Sequence, residues 1–227
     1  MDKVNKLRVV TVVSLLVGVS CAQTPKSPGP GHVRGPASEP ALSARPSGFV
    51  RVACGLVFAG NEGRVPFAAL LRAGKVQRVP QDPNVVVLDG VLLEVQITNA
   101  ASIGVPAARG LPLLMAHQKW LSSYISRKMN WPALKVRTTP ADFELPGLEA
   151  MAWDFAVPEP WELLGKRVIH VGYATVAIDD AVFTLSVPLR PGDDAAIPAR
   201  KVSEIVGSVQ RLEYPFDPRR DFIDCRR

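Results

Sequence analysis

Cysteine, histidine and long apolar runs are all scarce in this sequence, and each shortage closes off a class of protein. Three cysteines in 227 residues are too few for a disulfide-framework fold, and their spacings match no zinc motif. Three histidines leave little room for metal chemistry, so no metal and no cofactor are expected. The signals of common catalytic centres are missing as well. No G-x-S-x-G elbow occurs, and GLVFAGNEG lacks the lysine and hydroxyl that a phosphate-cradling loop needs. Two acid pairs, Asp179 with Asp180 and Asp193 with Asp194, fall where turns are expected. Aspartate favours turn backbone, so they read as turn formers rather than calcium ligands or acid–base pairs. No catalytic residue is assigned, and the chain reads as a non-enzyme.

What is present is a globular composition, 47% apolar and 21% charged, with 21 prolines and 17 glycines unevenly spread. The longest apolar run, Val9 to Ser20, follows the positive charges of Lys3, Lys6 and Arg8. As a helix it is about 18 Å long, short of the roughly 30 Å hydrocarbon core, so residues 1–20 read as an export signal rather than a permanent span. The run ends in Val17-Gly18-Val19-Ser20-Cys21, which resembles a bacterial lipobox with Gly18 where leucine is usual. The resemblance implies a lipid on Cys21, hence membrane attachment through the N-terminal lipid. The competing reading is an ordinary cleaved signal with an incidental cysteine. Ala22 after Cys21, in place of aspartate, implies the outer membrane by resemblance to sorting signals, with the domain facing the periplasm of a bacterial cell envelope.

Removing residues 1–20 takes away three positive charges and one negative, and lowers the net charge from +6 to about +4. No concentrated basic stripe remains, which argues against nucleic acid as a partner. Residues 21–47 hold the attachment cysteine and a Pro/Gly-rich linker that has too little apolar surface to fold. His32 falls in that linker and reads as a solvated tether residue. With Cys21 lipidated, Cys54 and Cys225 remain as an even pair in an oxidising compartment. They either form a disulfide or stay as separate thiols, one in a strand and one on the tail.

The folded region is expected over residues 48–214, with an irregular charged tail over 215–227. Phe49 to Gly60 reads as one extended segment and VPFAALLRAGK as a short helix stopped by Gly74. Asp89-Gly90 suits a two-residue turn, which predicts a hairpin of Val85–Leu88 and Val91–Thr98. A long helix is expected over 111–129, with Leu111, Leu114, Met115, Gln118, Leu121, Ile125 and Met129 as its buried stripe. Trp120 and Tyr124 form a second pair beside that stripe and face either the core or a partner. His117 is expected half-buried and hydrogen-bonded.

Strands are then expected at 135–138, 148–157 and 167–178. The last leads through Asp179-Asp180 into a hairpin that pairs Ile178 with Ala181, Val176 with Phe183, Ala174 with Leu185, Gly172 with Val187 and His170 with Leu189. The small Gly172 and Ala174 leave room across the sheet for a helix, and one is expected from Pro198 to Leu212. His170, near the end of the sheet, reads first as a core histidine bonded to a backbone carbonyl, and otherwise as part of the ligand or interaction surface with the tryptophans and Tyr124.

The order hairpin, long helix, two strands, hairpin and terminal helix, with LPGLEAMAWDF, VIHVGYATVAIDDAVFTLSVPL and VSEIVGSVQRL, resembles the Mog1/PsbP-like group that includes DcrB-type bacterial lipoproteins. The likeness rests on residues 134–212 and extends loosely to the helix at 111–129. It implies an α+β fold, an α/β/α sandwich whose antiparallel sheet is flanked by helices. It also implies a non-catalytic accessory module that binds an envelope protein. The alternative is a carrier of a small apolar or amphipathic ligand between sheet and helices, with Trp131, Trp153 and Trp161 near the pocket mouth.

Overall fold

The computed structural model describes residues 47–218 apart from 62, 81, 140–142 and 144. The expected signal segment, Cys21, the linker with His32, and Cys225 therefore lie outside the described residues. Among the described residues, two antiparallel sheets and two α-helices make an α+β fold.

The first sheet has four strands: β1 (Gly48–Val52), β2 (Gly55–Gly60), β3 (Phe67–Arg72) and, beside β3, β11 (Gln210–Arg211). The segment expected as one strand over 49–60 is thus a hairpin. It turns at Ala53-Cys54 because Gly55 adopts φ +139°, and a β-carbon there would collide with the Leu71 carbonyl. The helix expected over 65–75 is strand β3. Phe67, Ala69 and Leu71 face the main core, while Ala68 and Leu70 pack in a smaller outer cluster with Phe216. A strand buried on both faces loses the alternation that separates strand from helix.

The second sheet has seven strands, in the order β4 (Val76–Val79), β5 (Asp82–Leu88), β6 (Val91–Asn99), β10 (Ala181–Leu189), β9 (Lys166–Ile178), β8 (Glu149–Leu163) and β7 (Arg137–Thr139). Asp89 and Gly90 both take positive φ, as the predicted β5–β6 turn requires. All five predicted β9–β10 pairs are present, from Ile178 opposite Ala181 to His170 opposite Leu189. β8 runs six residues beyond its expected end, in a ladder interrupted between Ala156 and Trp161. Pro158, which has no N–H to donate, falls in that gap.

Helix α1 (Gly110–Met129) covers one face of the large sheet. Its buried face is Leu113, Leu114, His117, Leu121, Ile125 and Ser126, while Leu111 and Met115 are 46% and 58% exposed. The expected stripe is therefore rotated at its N-terminal end, where Leu113 and His117 replace Leu111, Met115 and Gln118. The other face is covered by the small sheet and by α2 (Ala196–Gly207), which buries Pro198, Val202, Ile205 and Val206. α2 ends five residues earlier than expected. The Ser208 hydroxyl accepts from Leu70 N–H at 2.8 Å and donates to the Ile205 carbonyl at 2.6 Å, so the chain leaves the helix to pair with β3 as β11. No helix among the described residues is long and apolar enough to cross a membrane.

Candidate functional site

Strand alternation sorts β8 and β9 into two faces. Met151, Trp153, Phe155, Val171 and Tyr173 point to the α1 side. Ala152 and Asp154, and opposite them His170, Gly172 and Ala174, point to the α2 side. Because Ala152, Gly172 and Ala174 are so small, α2 does not close onto the sheet there, and a cavity of about 420 Å³ remains. Val187 and Leu189 continue its floor, Phe143 borders it, and Pro198, Ala199 and Val202 of α2 form its wall. A β-carbon built on Gly172 meets nothing within 4 Å, which marks this residue as the open centre of the floor.

The polar groups gather at one end, on the edge strands. Arg137 of β7 donates to Asp154 Oδ2 through Nε at 3.1 Å and Nη2 at 2.9 Å. Asp154 Oδ1 lies 2.8 Å from His170 Nε2. The Arg137 side chain is 74% exposed, whereas those of Asp154 and His170 are 16% and 29% exposed. His170 is thus a half-buried residue oriented by a carboxylate, not a core histidine on a backbone carbonyl. Thr139 adds a hydroxyl beside this group.

The tryptophans are distributed differently from the expectation. The Trp153 ring stacks on Tyr173 at 4.0 Å and 7° in the α1-side core, so Trp153 borders the cavity only from beneath the strand. Trp131 and Trp161 meet edge to face at 6.2 Å on the α1 side and line an apolar hole of about 20 Å³, too small for a ligand. Trp120 and Tyr124 stack at 5.6 Å on α1, half-buried against the same core, and Lys128 Nζ lies 5.4 Å from the Tyr124 ring. Of the six residues expected at a ligand or interaction surface, His170 alone presents a polar group to the cavity.

Buried titratable groups also lie on the α1 side of the large sheet. His117 is fully buried, neither ring nitrogen has a hydrogen-bond partner among the described residues, and burial pushes its pKa down to about 4. This corrects the half-buried, bonded histidine that was expected. On β6, Glu94 is 7% exposed; it accepts from Gln96 and from the Ser186 hydroxyl, and burial pushes its pKa up to about 7. Burial and the nearby Glu94 raise the Tyr173 phenol well above its ordinary value. Cys54 is disulfide-bonded, and both other cysteines, Cys21 and Cys225, lie outside the described residues.

The described residues contain no group of three or more His, Cys, Asp or Glu side chains placed to hold a metal ion. Comparison with protein-family models, curated proteins and solved structures finds no match to this chain. The class of the protein therefore rests on its own architecture, an α+β fold of two antiparallel sheets with a helix on each face of the larger one.

Proposed function

We propose that this chain is an exported, Cys21-anchored envelope protein whose folded region is a non-catalytic carrier of a small apolar or amphipathic ligand. The observation that carries the reading is the cavity of about 420 Å³ between the large sheet and α2, within the size range of small-molecule sites, apolar along its length and polar at one end. The finer fold assignment belongs to the same proposal. Helices on opposite faces of an antiparallel sheet support a Mog1/PsbP-like sandwich, with the four-stranded sheet as an addition beside α2. The sequence supports the export signal, the lipid on Cys21, the tether and the periplasmic face of the outer membrane.

Native mass spectrometry of the chain released from its own membranes tests the reading. A bound small mass that is absent from a Gly172→Leu variant, with acyl mass on the Cys21 peptide, is the expected result. A chain that carries nothing in either form and takes up no added amphiphile overturns it. A second reading, an interaction module for an envelope protein, is favoured by one observation: Leu111 and Met115 lie exposed one turn apart on α1. Loss of a co-purifying protein in the double variant Leu111→Ser, Met115→Ser, with ligand content unchanged, is the outcome specific to that reading.

A further inference from the structure

The polar end of the cavity narrows the ligand's chemistry, and the argument rests on the carrier reading above. Asp154 takes two bonds from Arg137 on Oδ2 and lies against His170 Nε2 through Oδ1. A carboxylate paired with a guanidinium offers only lone pairs, so the hydrogen of a neutral imidazole is held on Nε2. The Nδ1 lone pair is then what His170 has left to offer a ligand. Arg137 Nη1 takes no part in the pair with Asp154 and remains a donor, and the Thr139 hydroxyl serves in either direction. Among the described residues that line the cavity, the two permanent charges, Arg137 and Asp154, pair with each other. An ionic headgroup entering here finds no unmatched permanent counter-charge among those residues and loses its hydration.

The geometry points to a neutral amphiphile, an apolar body over Gly172 with a terminal hydroxyl or primary amide that donates to His170 Nδ1 and accepts from Arg137 or Thr139. Such a group satisfies the acceptor and the donor together. A carboxylate leaves Nδ1 without a hydrogen to accept, and an ammonium meets the guanidinium.

The test is calorimetric titration of the full chain in lipid nanodiscs with four probes of one chain length: hexanol, hexanamide, hexanoate and hexylamine. Nanodiscs carrying the Gly172→Leu variant serve as the blank for partition into lipid. Hexanol and hexanamide are expected to bind several-fold more tightly than the two ions. In Asp154→Asn the amide oxygen faces Arg137 and its N–H₂ faces Nε2, which moves the ring hydrogen to Nδ1 and makes His170 a donor. The preference for hexanol over hexanoate should then be lost or reversed, a change of about tenfold or more, since the ring becomes a donor and the Arg137 charge loses its partner. His170→Phe keeps the apolar contact, removes the Nδ1 acceptor and should narrow the preference for hexanol over hexanoate, and it carries the test where Asp154→Asn does not fold. A wild-type preference for either ion, equal binding of all four probes, or a hexanol preference unchanged in the folded variants overturns the headgroup assignment while leaving the cavity in place. No difference between the wild type and Gly172→Leu with any probe overturns the carrier reading itself.

Discussion

Asp154 and His170 are diagonal neighbours: Asp154 stands opposite Gly172 in the β8–β9 ladder and His170 opposite Ala156, yet the carboxylate and the ring approach to 2.8 Å. The diagonal contact is open because the direct partner of Asp154 has no side chain. One glycine thereby provides both the space over the sheet and the reach of Asp154 to the ring.

Filling that space should separate binding from folding. Gly172 does not adopt a left-handed conformation, and a β-carbon there meets nothing. Gly172→Leu is therefore expected to keep the fold, with a melting temperature equal to or above that of the parent, since glycine weakens strand interiors. Ligand capacity should disappear. Thermal melts by circular dichroism beside a binding titration check both halves, and a variant that melts far below the parent contradicts the open floor.

The start of α1 depends on a residue almost forty positions away. The helix has no acidic residue in its first turn and no side-chain cap from Arg109; instead the Glu149 carboxylate on β8 accepts from Leu111 N–H. Gly110 takes φ +55°, and a β-carbon there would occupy the place of that carboxylate. Glu149→Ala is expected to cost about 1 kcal/mol by loss of the cap. Gly110→Ala should cost more, since it adds backbone strain to the same loss. Urea denaturation of the two variants checks the order.

The disulfide at Cys54 is expected to use Cys225, leaving Cys21 for lipid. Peptide mapping without reduction should show a Cys54–Cys225 linked pair, two hydrogens lighter than the separate peptides. Cys225→Ser should destabilise the chain by up to about 4–5 kcal/mol, the chain-entropy figure for a long closed loop less any strain. A Cys54–Cys21 linked peptide sinks the pairing and the lipid anchor together.

The parts legible in the sequence are those in which a local signal coincides with a single buried face. Asp89-Gly90 and Asp179-Asp180 set their turns, and the β9–β10 register followed from the second without further information. β3 was illegible because both its faces are buried, and the start of α1 because its cap comes from another strand. The site divides in the same way. Gly172 and Ala174 announce open space over the sheet, but small residues equally suit the close approach of a helix, and α2 fills only part of the space. Arg137 and Asp154 gave no signal, since their pairing depends on the β7–β8 register, in which the two stand opposite each other. The tryptophans misled because strand alternation sends Trp153 away from the cavity, and the extension of β8 carries Trp161 to the α1 side.

Two of the buried titratable groups on the α1 side, Glu94 and His117, should give stability an acid–base profile in which they oppose each other. Glu94 has its pKa raised from 4.5 to about 7, chiefly by burial, with Asp82 adding to the rise and Gln96, Ser186 and Lys128 working against it. The folded state therefore holds a proton that the unfolded chain has released, and this contribution is full below pH 4.5 and lost as the pH rises through 7. His117 has its pKa lowered from 6.5 to about 4, so its contribution is full above pH 6.5 and lost as the pH falls towards 4. Each amounts to at most about 3 kcal/mol. Between about pH 4.5 and 6.5 the slopes cancel in the parent protein, and single variants should unmask them. Glu94→Gln, which keeps an acceptor for Gln96, should become more stable as the pH rises through this window. His117→Leu should become less stable over the same range, while gaining overall because a buried ring with no hydrogen-bond partner among the described residues has been replaced by an apolar side chain. Urea midpoints at half-unit intervals from pH 4 to 8 provide the measurement, and parallel profiles for the parent and both variants are the outcome that contradicts it.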